Sequence, residues 1–403
     1  MDREVAKTIM KQTYFLLFVA LFASFSWAQN SSRVIATGVP FLMITPDARA
    51  AGMGDIGVAT SADAYSQQWN PAKYVFTEVE SSLGFSYTPY LSKLVNDIFL
   101  GNLTYYKRNS ERSAWAGSLK YFSLGDIQFN EFIGGNIIDQ GMERPNELTL
   151  DISYSLKLSE KFAMSVAGRY IRSDLKIRNE GDANAANSLG IDVSGFYKSK
   201  PFEWADQEML FRTGFNISNI GPRLNYDIGG EKSFIPTNLK TGFGFDFLFD
   251  TTNTLGFYTE FNKLLVPSPV KTYDEAGVFL GYRQPDIDFL RGIFTSFDDA
   301  AGGLQEELQE ITYAFGLEYR FENVFALRSG YFHESAEKGS RRYVTMGSGF
   351  NLNGFKIDVS YLFSTSTVRS PLENTLRFSL TLDLGNVTLN TSEEPQTPAA
   401  TPN

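Results

Sequence analysis

Hydrophobic and polar residues alternate strictly between Leu148 and Leu158: Leu148, Leu150, Ile152, Tyr154, Leu156 and Leu158 are interleaved with Thr149, Asp151, Ser153, Ser155 and Lys157. A period of two belongs to an extended strand with one apolar face. It returns at alternate positions from Leu239 to Phe249, from Ile311 to Phe321 and from Leu376 to Leu384. Comparable segments predict about fourteen strands, near 82–87, 97–107, 113–123, 147–157, 162–174, 188–198, 208–218, 238–249, 254–263, 310–321, 324–333, 342–350, 354–363 and 374–384. Most run to about ten residues, which suits a tilted strand that crosses a membrane better than the shorter strands of a soluble sandwich.

The connections alternate in length. Short ones fall at 109–112, 159–161, 250–253, 322–323 and 351–354, and long ones at 124–146, 175–187, 219–237, 264–309 and 364–373; only 199–207 blurs the pattern. Short turns on one side and long loops on the other predict an all-β outer-membrane barrel, multi-pass, with both termini in the periplasm. Aromatic residues fall where interfacial girdles belong: Tyr87, Tyr121, Tyr170, Tyr331 and Phe363 toward one end, Tyr197, Phe249, Tyr319 and Phe321 toward the other. The polar faces place Asp151, Lys157, Arg169, Asp192, Arg212, Asp246, Glu260, Glu318, Arg320, Arg328, Asp358, Arg377 and Asp383 inward, and their mixed signs predict ion pairs across the lumen. The alternative is a large soluble barrel with an aromatic core.

Four segments are expected: a signal peptide at 1–28, a hatch or plug at 29–80, a barrel at 81–385, and a disordered periplasmic tail at 386–403. The first has Arg3, Lys7 and Lys11 ahead of an apolar run from Tyr14 to Phe25 and ends in Ser26-Trp27-Ala28, so cleavage before Gln29 is predicted. The last is rich in Thr, Pro and Ala.

Composition narrows the chemistry. There is no cysteine and a single histidine, His333, so thiolate and multi-histidine centres are excluded, and no cofactor is expected. A net charge of −10 without any basic cluster argues against a nucleic-acid partner. Phe and Tyr together number 55, an aromatic load that favours the sheet reading. His333 beside Ser335 raises the idea of a barrel hydrolase, but no G-x-S-x-G elbow and no His–Asp pairing accompany it.

Gly-Met-Gly-Asp-Ile-Gly at 52–57 has the spacing of a dinucleotide fingerprint, with Glu78 near the place of a ribose-binding acid. Pro46-Asp47-Ala48-Arg49-Ala50-Ala51 upstream is not the buried strand that such a site requires, so a tight bend in a plug is the better reading. The stretch from Ala48 to Gly54, with Gly57-Val58-Ala59 and Trp69-Asn70-Pro71-Ala72, resembles the hatch signature of FadL-like outer-membrane barrels, in which a glycine pair precedes an Asn-Pro-Ala ahead of the first strand. More narrowly, GVPFLMITPDARAAGMGDIGVATSADAYSQQWNPAKY at 38–74, followed by Leu103-Thr104-Tyr105-Tyr106-Lys107, is similar to the PorV family of the Bacteroidota type IX secretion system.

This resemblance implies a non-enzymatic barrel of fourteen strands in outer-membrane lipid. Such a barrel receives cargo C-terminal signal domains at the type IX translocon barrel and carries them to a sortase-like attachment complex. Gly52, Gly54, Gly57, Trp69, Asn70 and Pro71 are then hatch residues, and partner binding falls to the extracellular loops. The alternative function is a FadL-like transporter of hydrophobic small molecules.

Loop 264–309 is the strongest loop candidate, being longer than a connection needs. Phe289, Leu290, Ile293, Phe294 and Phe297 recur at helical spacing behind Asp286 and Asp288, so a short amphipathic helix is predicted, docking either a partner or the barrel rim. Eight acids against three bases give the loop a net charge of −5, and solvated carboxylates are expected in preference to a calcium site, because no EF-hand spacing is present.

Overall fold

The computed structural model describes residues 34–385 except 93–94, 96, 134–135, 176–184, 227–230, 367–370 and 374. The expected signal segment 1–28 and tail 386–403 lie outside the described residues. Fourteen antiparallel strands form the barrel: β1 (Ser81–Pro89), β2 (Ile98–Arg108), β3 (Ser113–Leu124), β4 (Asn146–Lys157), β5 (Phe162–Asp174), β6 (Ala186–Lys198), β7 (Gln207–Ile220), β8 (Asn238–Leu248), β9 (Asn253–Leu264), β10 (Ile311–Phe321), β11 (Phe325–His333), β12 (Arg342–Leu352), β13 (Phe355–Ser364) and β14 (Leu376–Asp383). Each pairs with its neighbours in sequence, and β14 closes onto β1 through pairs such as Leu380 with Phe85. Closure leaves the ring without a free edge, so the strands' backbone groups pair with neighbouring strands, apart from a bulge near Asn219 whose amide and carbonyl are met by the Asp192 and Thr237 side chains.

The alternation sorts chemistry by face. In β4, Thr149, Asp151, Ser153 and Ser155 are buried, while Leu150 and Ile152 are 48% and 60% exposed. That is the reverse of a soluble barrel with an aromatic core, and it excludes that alternative: the exposed apolar face meets lipid and the buried polar face meets the lumen.

Turn chemistry builds one rim. Glu322 and Asn323 both have positive φ (51° and 52°), as do Asn353 and Gly354 (51° and 87°), the conformation that matches a tight turn to strand twist. The connection that blurred the sequence pattern is a hairpin of the same kind: Phe202–Trp204 folds back on the start of β7 through Ala205 and Asp206, with φ of 52° and 62°. The other rim carries the long loops, two of which contain hairpins of their own: Ile127–Ile133 with Asn136–Glu143, and Val270–Tyr273 with Phe279–Arg283.

The lumen is occupied by the segment ahead of β1, wound into short helical turns at Pro40–Met43, Ala48–Ala51, Ser66–Trp69 and Pro71–Phe76. Val39, Phe41 and Leu42 pack with Leu100, Phe122, Ile171 and Ala186 at the long-loop ends of their strands, and the Gly38 amide donates to the Phe234 carbonyl (2.8 Å) in a long loop. Thr77 sits at the opposite rim, where the Arg108 Nη1 donates to its carbonyl (2.8 Å). The hatch therefore runs the length of the lumen, from long loops to short turns, because β1 must begin at the short-turn rim. The chain leaves β14 at that same rim, with the Leu384 amide bonded to the Ser81 carbonyl (2.8 Å). The described ends thus lie at opposite rims, while the termini themselves fall outside the described residues.

Candidate functional site: the hatch and the long loop

The hatch lies against the wall where inward side chains are missing. A Cβ on Gly330 of β11 would sit 2.0 Å from the Met53 carbonyl carbon, and one on Gly316 of β10 would sit 2.7 Å from the Met53 carbonyl oxygen. These two glycines are register partners. Gly52 also approaches Gly347 of β12, a Cβ on either glycine falling 3.1 Å from the other's Cα. A second pair, Gly214 and Gly242, meets across β7 and β8 and receives Val58. Gly54 alone of the three hatch glycines has positive φ (79°), and its amide donates to the Thr345 Oγ1 (2.9 Å). Gly57 serves packing, since the Trp69 ring occupies the space of a Cβ. The Gly-Met-Gly-Asp-Ile-Gly stretch is a docked corner and not the opening of a nucleotide cradle: the helix before it has four residues and, among the described residues, no strand precedes it.

Trp69, Asn70 and Pro71 tie the hatch to itself and to the wall. The Trp69 Nε1 donates to Asp47 (2.8 Å), and the Lys240 Nζ stands over the indole at 4.5 Å. The Asn70 side chain accepts from the Ala72 amide (3.1 Å) and donates to the carbonyls of Val58 (3.0 Å) and Gly195 (2.9 Å), which caps the turn that Pro71 begins. Glu260 accepts from the amides of Gly57 and Val58, both at 2.8 Å.

An ionic lattice holds the centre. Arg49 grips Glu318 with two parallel bonds of 2.9 Å and reaches Asp63 at 2.7 Å. Glu318 also accepts from Arg328 (2.8 Å), which extends to Asp358 (2.6 Å). Arg212 pairs with Asp246, and Arg169 bridges Asp151 and Asp192. The wall pairs therefore run between neighbouring or next-neighbouring strands and do not cross the lumen, contrary to expectation, and it is Arg49 of the hatch that joins the lumen's interior to the wall. Burial, reinforced by Asp63, pushes the Asp47 carboxyl up to about 6, against the Ala50 amide, Trp69 and Arg49. Burial likewise pulls the Lys73 ammonium down to about 8, against Asp63. A cavity of about 250 Å³ remains between the hatch and the short-turn rim, lined by charged groups including Arg49, Lys198, Arg212, Glu318 and Asp358 together with aromatic residues such as Tyr65, Phe76 and Phe196.

Loop residues 265–310 form a second candidate surface. Asp288 caps the helix Phe289–Thr295 by accepting from the Leu290 amide (3.3 Å), and Asp286 bonds Arg223 (2.7 Å). Phe289 and Ile293 are half-buried, and Gly292 seats the helix against Phe234 and Pro267. Leu290, Phe294 and Phe297 face away at 51%, 77% and 50% exposure. One short helix thus packs on the rim by one side and offers an apolar stripe by the other. The acids of this loop depart from the solvated expectation. Glu306 and Glu307 are buried in the helix Leu304–Gln309, Glu306 pairing with Lys338 (2.7 Å) and Glu307 with Lys263 (2.9 Å), while Glu310 bonds both lysines (2.9 and 2.8 Å).

His333 lies at the outer end of β11 on the lipid side, stacked on Tyr313 (4.6 Å) with its Nδ1 at 3.0 Å from the Tyr331 hydroxyl. No carboxylate–histidine–serine geometry forms there. Missed in the sequence were the wall glycines and Arg49. Strand parity was the available signal, because Gly214, Gly242, Gly316, Gly330 and Gly347 all occupy inward positions.

The family model of the type IX secretion system protein PorV matches residues 27–271. No curated protein is a match. Among solved structures, a mutant of the TodX monoaromatic hydrocarbon channel is 13% identical with a TM-score of 0.51, covering 84% of this chain and 99% of its own. The P. putida toluene transporter TodX is 12% identical with a TM-score of 0.48, over 84% and 99% of the two chains. A Pseudomonas aeruginosa FadL homologue is 10% identical with a TM-score of 0.44, over 88% and 100%. At such identities the likeness is one of fold. With more than half its length matched and a closed barrel whose lipid face is apolar, the chain belongs to the PorV family, outer-membrane components of the type IX secretion system.

Proposed function

We propose that this barrel is a cargo shuttle: it takes up the C-terminal signal domain of an exported protein at the translocon barrel and delivers it to a sortase-like attachment complex. The short-turn rim faces the periplasm and the long loops face outward, as is usual for outer-membrane barrels. The observation that carries the reading is the Leu290/Phe294/Phe297 stripe, three large apolar side chains held open on a loop that is itself fixed to the rim. Exposed apolar anchors of this kind, on a rigid support, are what a protein partner buries. The hatch works as a closed plug, so recognition happens on the outer surface and not through the lumen. No catalytic step is assigned.

Carriage of hydrophobic small molecules is the second reading, suggested by the barrels of similar fold. It fits less well, because the inner wall carries paired charges where a hydrocarbon path needs apolar walls.

Leu290→Asp with Phe294→Asp, in a strain that expresses no other copy, tests the proposal by gentle detergent extraction and identification of co-purifying proteins. Loss of secreted cargo from the pull-down, with normal heat-modifiable migration of the barrel, is expected. Unchanged cargo recovery would sink the loop assignment. Impaired hydrocarbon or fatty-acid uptake in a null strain, with secretion intact, would promote the transporter.

A further inference from the structure

Two arginines of the barrel strands point outward, Arg172 on β5 and Arg342 on β12, both near the long-loop ends of their strands. Their neighbours differ. Arg172 has Asp174 at 3.4 Å. The Nε of Arg342 is buried and has no hydrogen-bond partner among the described residues, while its neighbour Arg341 is taken by Glu334 (2.8 Å). That Arg342 faces the lipid side follows from Tyr343, which is buried inward and stacked on Phe332 at 4.7 Å.

Around Arg342 the register assembles a polar aromatic patch. Tyr313, His333 and Arg342 are successive cross-strand partners on β10, β11 and β12. Tyr331, two positions below His333 on the same face, holds the His333 Nδ1 through its hydroxyl at 3.0 Å. Immediately below on these strands the face becomes hydrocarbon-like, with Phe315, Leu317, Leu327, Met346 and Phe350 all more than a third exposed. The patch therefore sits where an apolar band ends, at the level that headgroups occupy in the leaflet next to the long loops.

We propose that Arg342, with Tyr313, Tyr331 and His333, is a binding site for the phosphate of an anionic lipid headgroup in that leaflet. The outer nitrogens of the guanidinium present paired donors that match a phosphate, and among the described residues no carboxylate is paired with Arg342, the nearby Glu334 being taken by Arg341. Phenol and imidazole groups beside it offer further hydrogen bonds while their rings lie against the upper acyl chain. The lipid is favoured over free phosphate because the patch is continuous with the apolar band, so one ligand satisfies both surfaces. Which leaflet it meets rests on the outward orientation of the long loops proposed above; the binding chemistry does not.

Native mass spectrometry of the full mature protein in mild detergent, titrated with lipid A bearing its phosphates, tests this. Wild type is expected to retain the lipid, and Arg342→Gln to bind it roughly tenfold more weakly. Lipid A stripped of phosphate should bind wild type as weakly as the intact lipid binds the variant. Equal binding by wild type and Arg342→Gln overturns the site. Displacement by inorganic phosphate at matched concentration overturns the lipid assignment, and equal weakening by Arg172→Gln shows a diffuse basic belt instead. Should Arg342→Gln not assemble, the milder pair Tyr313→Phe and Tyr331→Phe must weaken binding for the proposal to stand. A cysteine in loop 265–310, labelled by an impermeant maleimide on intact cells, reports orientation separately, so failure of either reading is recognisable.

Discussion

Single side chains in this barrel are judged by what the hatch leaves room for. Gly54→Val combines two penalties: a β-branched residue at a φ of 79°, and a Cβ 3.0 Å from the Tyr331 backbone. We expect it to cost on the order of 3 kcal/mol or more and to lower the fraction of heat-modifiable barrel recovered from membranes. Gly330→Ala tests the same contact from the wall, where the intruding methyl meets backbone that cannot rotate aside. Asp47 makes a pH-dependent prediction. Its carboxyl rises to about 6 in the folded hatch from an ordinary 3.8, so the folded state binds the proton more tightly and the contribution to stability is full below about pH 4 and lost as pH climbs to 6. Asn at this position has a single acceptor oxygen, so it keeps either the cap on the Ala50 amide or the bond from Trp69 and loses the other at every pH. Asp47→Asn should therefore start below wild type at low pH and gain on it through that window by on the order of 2–3 kcal/mol, read as a pH-dependent change in the difference between the two melting temperatures. A gap that is flat with pH would refute it.

Among elements, the loop helix Leu304–Gln309 depends on a latch between its carboxylates and two lysines from different parts of the rim. Lys263 closes β9, and Lys338 belongs to the connection between β11 and β12. Removing one partner leaves buried carboxylates uncompensated, which costs far more than an exposed pair would. Lys263→Met is expected to speed protease cleavage within 265–310 by roughly tenfold or more without altering heat-modifiable migration of the barrel. Cleavage at the wild-type rate would mean that the rim packing of Gly292 and Ile293 suffices. The helix Phe289–Thr295 also shows how far a pattern reaches. Its spacing was legible, yet Phe289 and Ile293 turn to the rim while Leu290, Phe294 and Phe297 turn away. Helical periodicity names the members of two faces, but the side that meets the protein depends on Phe234 from another long loop and on Pro267 at the start of the same one.

At the scale of the whole molecule, a plug fixed by Arg49–Glu318 and seated on two glycine pairs predicts an electrically quiet barrel. Purified wild type in planar bilayers should show no steady conductance, and Arg49→Ala, which removes the clamp on Glu318 and Asp63, should introduce flickering openings or lower thermal stability. Porin-like conductance by wild type would contradict the closed plug. The fourteen strands and the alternation of short and long connections were readable in advance because one face of each strand meets lipid and the other meets charge, so the period of two is strong. The path of the hatch was not readable. Its glycines and its Asn-Pro-Ala resemble a signature, but nothing local fixes whether the segment rises or descends, and the described ends at opposite rims follow only from the fold.

By itself the sequence determined what each local environment selects: strand number and facing, the rim of tight turns, the helix behind Asp288, and membership of an outer-membrane family. Only the tertiary structure decided which distant groups meet. Arg49 finds Glu318 across 269 positions of sequence, and the loop acids find Lys263 and Lys338 instead of water. The reason is physical. Facing depends on neighbours one or two residues away, whereas buried charge and close backbone approach are settled by partners that only a closed barrel brings within reach.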